Sequence, residues 1–495
     1  MYKITVLTVA LATVLATPLA AAADDRDLAQ IREQIRQMKD EYEARIRALE
    51  QLLQQAEAKS ERAAAQARIP ANQPSSATAS APASAPTSVS AATASSGPMP
   101  TSAARAGSGG AAANAYNPAM ALILGGTYAR LSQDPSQYRI QGFIPGGEEI
   151  GPGSRNFNLG ESELTLSANI DHRFSGQLTF ALSQDNTASV EEAFFRTQGL
   201  ASGVNLMAGR FLSGVGYLNG QHAHAWDFSD APLAYQAFFG GQYKTDGVQI
   251  KWLAPTDSFL ELAAEVGRGA GFPGTDRNQN GIASGAAFVH VGDDLGDSAS
   301  WRLGVSYLRN RAVERAYQDF DRTGASVDNA FTGSSDTWIA DAIYKWAPGG
   351  NATQTSVKLQ GEYFRRNERG TLTYDTLAQS QGTIPGSYSA AQSGWYLQGI
   401  YQFMPQWRAG LRYDKLYAGT AKLSAVDDGT LAAADFSRLL AYNPTRSTVM
   451  VDYSPSEFSR FRVQFARDQS RPGVTDNQLF LQYIMSLGVH GAHAF

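Results

Sequence analysis

Apolar and polar residues alternate with a period of two through much of the chain after residue 118. In "SGWYLQGIYQFMPQWRAGLRYD", 393–414, Trp395, Leu397, Gly399, Tyr401 and Phe403 share one face. Tyr396, Gln398, Ile400 and Gln402 share the other. After Pro405, Trp407, Ala409, Leu411 and Tyr413 alternate with Arg408, Gly410, Arg412 and Asp414. This is a hairpin with one apolar and one polar face. "ESELTLSANI", "GQLTFALS", "SVKLQGEY" and "SRFRVQFA" repeat the pattern, the last with Phe461, Val463 and Phe465 opposite Arg460, Arg462 and Gln464. About sixteen such segments run from near Ala119 to near Leu487. "VEEAFFRT" is ambiguous in phase.

Alternation alone fits a soluble sandwich or a membrane barrel with a polar interior. Three features favour the barrel. Short links, such as 172–173, 254–257, 347–351, 404–406 and 454–458, alternate with long ones at 132–156, 213–246, 268–284, 311–336, 367–392 and 417–445. Trp252, Trp301, Trp346 and Trp407 flank short links, while Trp338 and Trp395 lie beside long ones, giving two aromatic belts. The last strand alternates Leu479, Leu481, Tyr483, Met485 and Leu487, and the chain ends at Phe495, a terminus suited to barrel-assembly machinery. The expected fold is all-β, a 16-stranded antiparallel transmembrane β-barrel over 118–495.

Residues 1–23 read as a signal peptide, with Lys3, an apolar stretch from Ile4 and a small-residue site at Ala21, Ala22 and Ala23. Residues 24–68 place Leu28, Ile31, Ile35, Met38 and Tyr42 at coiled-coil spacing, continued by Ile46, Leu49 and Leu53 after a stutter. Such a helix needs a partner, most simply another copy of itself. Residues 69–117 are Ala/Ser/Pro-rich and read as a disordered linker. The long-loop phase places both barrel termini in the periplasm, and with them the coiled coil.

The segments "FNLGESELTLSANI", "VEEAFFRT", "LMAGRF" and "DGVQIKWLAP" resemble Gram-negative sixteen-stranded outer-membrane porins. The likeness is to the phosphate-selective porin O/P-like group, or to the related siderophore-porin group that also carries a coiled coil. The resemblance implies a homotrimer in outer-membrane lipid that passes small solutes. One departure stands out. The phosphate-selective group carries a basic ladder, yet loop 213–246 has Lys244 as its one cation, beside Asp227, Asp230 and Asp246.

Composition narrows the chemistry. There is no cysteine, so thiolate metal sites and nucleophiles are excluded. The net charge of -5 and the lack of a basic stripe argue against nucleic acid. Loop 213–246 is too aromatic for a solvated loop and should pack inside the lumen. His222, His224, Trp226, Asp227 and Asp230 would then form the pore constriction. In extended backbone His222 and His224 point the same way, which suits zinc, copper or nickel. Hydrogen-bonded structural histidines or a pH-sensitive gate are the favoured alternatives. "HGAH" supplies a second pair, His490 and His493. In "DRNQNG", Asp276, Asn278 and Asn280 fit the start of a calcium loop, although position 12 is Ala287. Ser213 and Ser229 have no context for a triad, so no enzyme and no resident cofactor are expected beyond a calcium or zinc ion.

The phase turns Glu161, Glu163, Lys251, Arg302, Lys358, Glu362, Arg408, Arg412, Arg460 and Arg462 inward as pore lining, together with Asp341, Lys345 and Asp414. Basic residues dominate, so a weakly anion-preferring diffusion porin is expected. The alternative is a specific, TonB-independent uptake channel for a metal ion or metal-siderophore chelate.

Overall fold

A computed structural model describes residues 118–488, except 147–149, 184–186 and 277–279. The expected signal peptide, coiled coil and linker lie outside the described residues, as do Asn278, His490, His493 and Phe495. No helix among the described residues is long and apolar enough to cross a membrane.

Sixteen antiparallel strands close into a barrel. They are β1 (Ala119–Leu131), β2 (Ser162–Asn169), β3 (Phe174–Leu182), β4 (Ala188–Thr197), β5 (Val204–Leu212), β6 (Lys244–Leu253), β7 (Phe259–Gly267) and β8 (Ser284–Leu295). Then come β9 (Ala299–Phe320), β10 (Ser326–Trp346), β11 (Ser356–Tyr374), β12 (Ile384–Met404), β13 (Trp407–Tyr417), β14 (Thr445–Ser456), β15 (Ser459–Arg471) and β16 (Val474–Gly488). Each strand pairs with the next. Closure comes from β1 and β16, in register from Ala121 opposite Gly488 to Leu131 opposite Gln478. Closure leaves no edge strand to template further pairing. Two shorter strands, Asn156–Leu159 and Lys422–Leu423, add to the outer rim.

The faces follow the alternation. Leu397, Leu411 and Val463 are exposed at 57%, 65% and 50%, while the neighbouring Arg412 and Arg462 are 3% and 2% exposed. An apolar outer face is the pattern lipid requires, since a mid-membrane Arg there costs roughly 2–4 kcal/mol. Trp407 packs on Tyr453 at one rim (4.7 Å), and Trp338 on Tyr307 at the other (4.8 Å). On β10, Trp338 and Trp346 are eight residues apart, about 20 Å once strand tilt is included, comparable with the lipid-facing band of such barrels.

The structure differs from the sequence reading at 311–336 and 367–392, expected as long loops. There β9–β10 and β11–β12 continue as strands to connectors at 321–325 and 375–383. The apolar alternation fails because these extensions bury polar groups. Arg315 and Glu368 pair inside at 2.9 Å, while Arg309, Arg365 and Arg369 face outward above Trp338. The connector 418–444 folds over their inner face and buries Leu423, Leu431, Phe436 and Leu439 beside Phe331, Leu372 and Tyr374.

Candidate functional site

The connector between β5 and β6, residues 213–243, carries the chemistry. It holds a short 3-10 turn, Ala223–Ala225, and a helix, α1 (Leu233–Phe239). Pro232 precedes α1, and Gly240 ends it in the left-handed region (φ 69°). That geometry lets the Gly240 and Gly241 amides donate to the last-turn carbonyls of Gln236 and Tyr235. All seven residues of α1 are buried. Phe238 stacks on Phe364 of β11 with centroids 5.6 Å apart, and the cluster takes in Phe288, Leu308, Ile339, Tyr396 and Leu416 from β8 to β13. Each such side chain withdrawn from water contributes about 1.5–3 kcal/mol. This burial explains a loop that reads as too apolar for solvent.

Polar anchors fix the ends of the loop. Glu362 accepts hydrogen bonds from the Tyr217 and Leu218 amides (3.1 and 3.0 Å) and from the hydroxyls of Tyr235 and Tyr396. Gly216 (φ 70°) sits against that carboxylate, where a Cβ would clash. Glu265 of β7 accepts from Ser213 Oγ and the Gly214 amide. Trp226, 7% exposed, donates its indole N–H to the Gln221 carbonyl at 2.9 Å.

One flank of the loop meets a basic wall. Asp227 lies 2.9 Å from Lys358 Nζ and 3.2 Å from Arg408, and it accepts from Gln398. Asp230 lies 3.0 Å from Arg412 and 2.5 Å from Arg446, and it accepts from Gln464. Arg462 donates to the Trp226 carbonyl, and Arg460 to that of His224. Asp452 joins Arg408 to Arg462. Burial raises the pKa of Asp227, but Lys358 and Arg408 outweigh it and hold the carboxyl well below the usual range. At Asp230 burial also raises the pKa, and Arg446 and Arg412 outweigh it and lower the carboxyl from its usual value.

The opposite flank meets an acidic wall. His222 Nδ1 is 3.1 Å from both Glu163 and Glu191, and its Nε2 is 3.1 Å from Glu192. His224 Nδ1 is 2.8 Å from the second oxygen of Glu163. The two imidazoles stack with centroids 5.7 Å apart. Glu163 comes from β2. Glu191 and Glu192 are adjacent on β4, where alternation would send one of them outward. A bulge prevents this: Thr179 pairs with Glu192 and Phe180 with Val190, leaving Glu191 as the extra residue. Both side chains are buried on the inner face.

The structure thus brings His222, His224, Trp226, Asp227 and Asp230 into one segment touching β2, β4, β11 and β13–β15. Glu163, Glu362, Arg412 and Arg462 lie beneath it, each 3% exposed or less. Lys251, Arg302, Lys358, Arg408 and Arg460 stay half-buried, as do Lys345 and Glu161. Arg302 lies 3.7 Å from Asp341 and over the Tyr217 ring, and Lys251 lies 3.9 Å from Glu261. Asp276 and Asn280 are exposed, and Asp276 is ion-paired with Arg268. Asp276 belongs to no group of three or more His, Cys, Asp or Glu side chains close enough to share an ion among the described residues. Sequence reading missed Glu191, Glu192, Arg446 and Asp452. The phase ambiguity of "VEEAFFRT" was the one signal for the first two.

No family model matches the chain. An uncharacterized protein of Aquifex aeolicus (strain VF5) is 28% identical over 407 residues, covering 77% of this chain and 80% of that one. Among solved structures, the trimer form of in-vitro folded OmpT, an outer membrane protein of Vibrio cholerae, is 11% identical with a TM-score of 0.46, covering 74% of this chain and 98% of its own. OprB of Pseudomonas putida is 13% identical with a TM-score of 0.45, covering 75% and 94%. An anion-selective porin from Comamonas acidovorans is 10% identical with a TM-score of 0.44, covering 75% and 99%.

Proposed function

We propose that the chain is an outer-membrane diffusion channel for small polar solutes, weakly selective for anions, with loop 213–243 as its constriction. The observation that carries this reading is the path of the loop. It touches the inner face of the barrel at Glu163, Glu192, Glu265, Glu362, Arg412 and Arg462. A segment held from so many sides crosses the interior and narrows it. The buried arginines of the basic wall, Arg412 and Arg462, are offset by Asp230, Asp414 and Asp452. Around the loop, the half-buried cations Lys251, Arg302, Lys345, Lys358, Arg408 and Arg460 outnumber the half-buried carboxylates Glu161, Asp230 and Glu261. Fixed charge in a narrow, low-dielectric passage acts strongly on permeant ions, which favours anions here. Solutes pass by diffusion, with no covalent step. The coiled coil would assemble three copies on the periplasmic side.

Purified protein in planar bilayers tests this reading. Conductance should rise linearly with potassium chloride, and the reversal potential in a salt gradient should have the sign of chloride preference. A conductance that saturates, and is blocked by a metal chelate, would instead indicate the specific-uptake alternative.

A further inference from the structure

The donor set on the acidic wall is richer in carboxylates than in cations. Three carboxylates, with side chains 1%, 5% and 9% exposed, surround one imidazole. Among the described residues no lysine or arginine is ion-paired with any of them. His222 Nδ1 faces two carboxylate oxygens at 3.1 Å and can donate one hydrogen. One oxygen each from Glu163 and Glu191, with a nitrogen of His222, lie within 4.8 Å of one another.

We propose that Glu163, Glu191 and His222 Nδ1 bind a divalent first-row transition ion, zinc being the probe of choice, which pins the loop to the wall. The remaining two residues position these ligands. Glu192 accepts from the Nε2–H of His222, fixing the tautomer that leaves Nδ1 free to coordinate, as outer carboxylates do for metal-bound histidine. Glu192 is itself held by the Leu212 amide (3.1 Å) and Gln177 (3.0 Å). His224 orients Glu163 through its second oxygen. Zinc bonds of about 2.0–2.2 Å place tetrahedral ligands roughly 3.3–3.5 Å apart. The two nitrogen–oxygen pairs at 3.1 Å need to part by only a few tenths of an ångström, and the two carboxylate oxygens lie within 4.8 Å of each other. Imidazole with carboxylate suits zinc, nickel or manganese better than calcium, which takes six to eight oxygens. The fourth position opens to the interior, where His222 and His224 remain 20% and 15% exposed.

The site needs both a wall with a bulge and a loop folded against it, so it rests on the inward path of the loop and not on anion preference. Isothermal titration of the full-length, detergent-purified protein with zinc chloride tests it, with cobalt absorption as a second readout of the ligand field. One ion per chain should bind. His222→Ala and Glu191→Gln should each weaken binding by 100-fold or more, and Glu192→Gln by about 10–100-fold. Heat-modified gel mobility and circular dichroism establish that each variant is folded, and Glu191→Gln is nearly isosteric. Absence of saturable binding, or binding that persists unchanged in folded Glu191→Gln and His222→Ala protein, would overturn the site. Channel conductance recorded without zinc tests the porin reading independently.

Discussion

The two flanks of loop 213–243 meet the barrel by different chemistry. On the basic wall, each loop carboxylate has two cationic partners and a side-chain amide: Lys358, Arg408 and Gln398 for Asp227; Arg412, Arg446 and Gln464 for Asp230. On the acidic wall, three carboxylates share two imidazoles. In the first contact the loop carboxylates are neutralised by cations of the chain itself. The second is complete only with an added proton or cation. The loop therefore has a permanent anchor and a conditional one.

Removing the loop should have the largest effect, since it eliminates both anchors. Replacing residues 215–239 with a short Gly/Ser linker should raise single-channel conductance severalfold. Unchanged conductance would mean that the pore is limited elsewhere. Next in size is Lys358→Gln with Arg408→Gln, which strips the basic wall. Chloride preference should fall to near neutrality or reverse, read from the reversal potential.

Asp227→Asn with Asp230→Asn reverses the sign of that effect. Chloride preference should rise, and detergent unfolding should show a loss of about 1–3 kcal/mol for each cation pair left unmatched. Asp227 is held below the ordinary carboxylate pKa, so its contribution is present above its unfolded value, about 3.9, and is lost only as pH falls through the folded value. The wild-type anchor should persist to about pH 4 for this reason. A wild-type selectivity transition between pH 5 and 7 that vanishes in the Asp227→Asn variant would contradict it. Deleting residues 24–117 should have the smallest effect: conductance per channel stays the same while the oligomer loosens on native gels.

Much of this architecture is legible in the chain because lipid imposes a strict period of two. Leu397 and Arg412 declare their faces without further context. The apolar residues of 213–243 likewise betray a loop that packs inward. What the sequence conceals depends on broken periodicity. The bulge at Glu191 puts consecutive residues on one face, so the acidic wall reads as noise in phase. The extended β9–β12 strands have ion-paired inner residues and charged outer ones, so they read as loop. Asp452 and Arg446 lie on a confident strand, but their importance comes from cross-strand and loop partners that no local pattern encodes.

The central claim is that loop 213–243 crosses the interior and rests on the basic wall. The chain has no cysteine, so thiols can be placed at will. The Ser229 amide donates to the side chain of Gln464 (2.9 Å), whereas Phe465 next to it faces outward. A short bis-maleimide applied to the folded Ser229→Cys, Gln464→Cys protein should link the two residues, detected by mass spectrometry of the digest, and leave single-channel conductance close to that of the unlinked protein. The Ser229→Cys, Phe465→Cys pair should not link. Efficient linking of the second pair, or failure of the first in protein that conducts, would contradict the account.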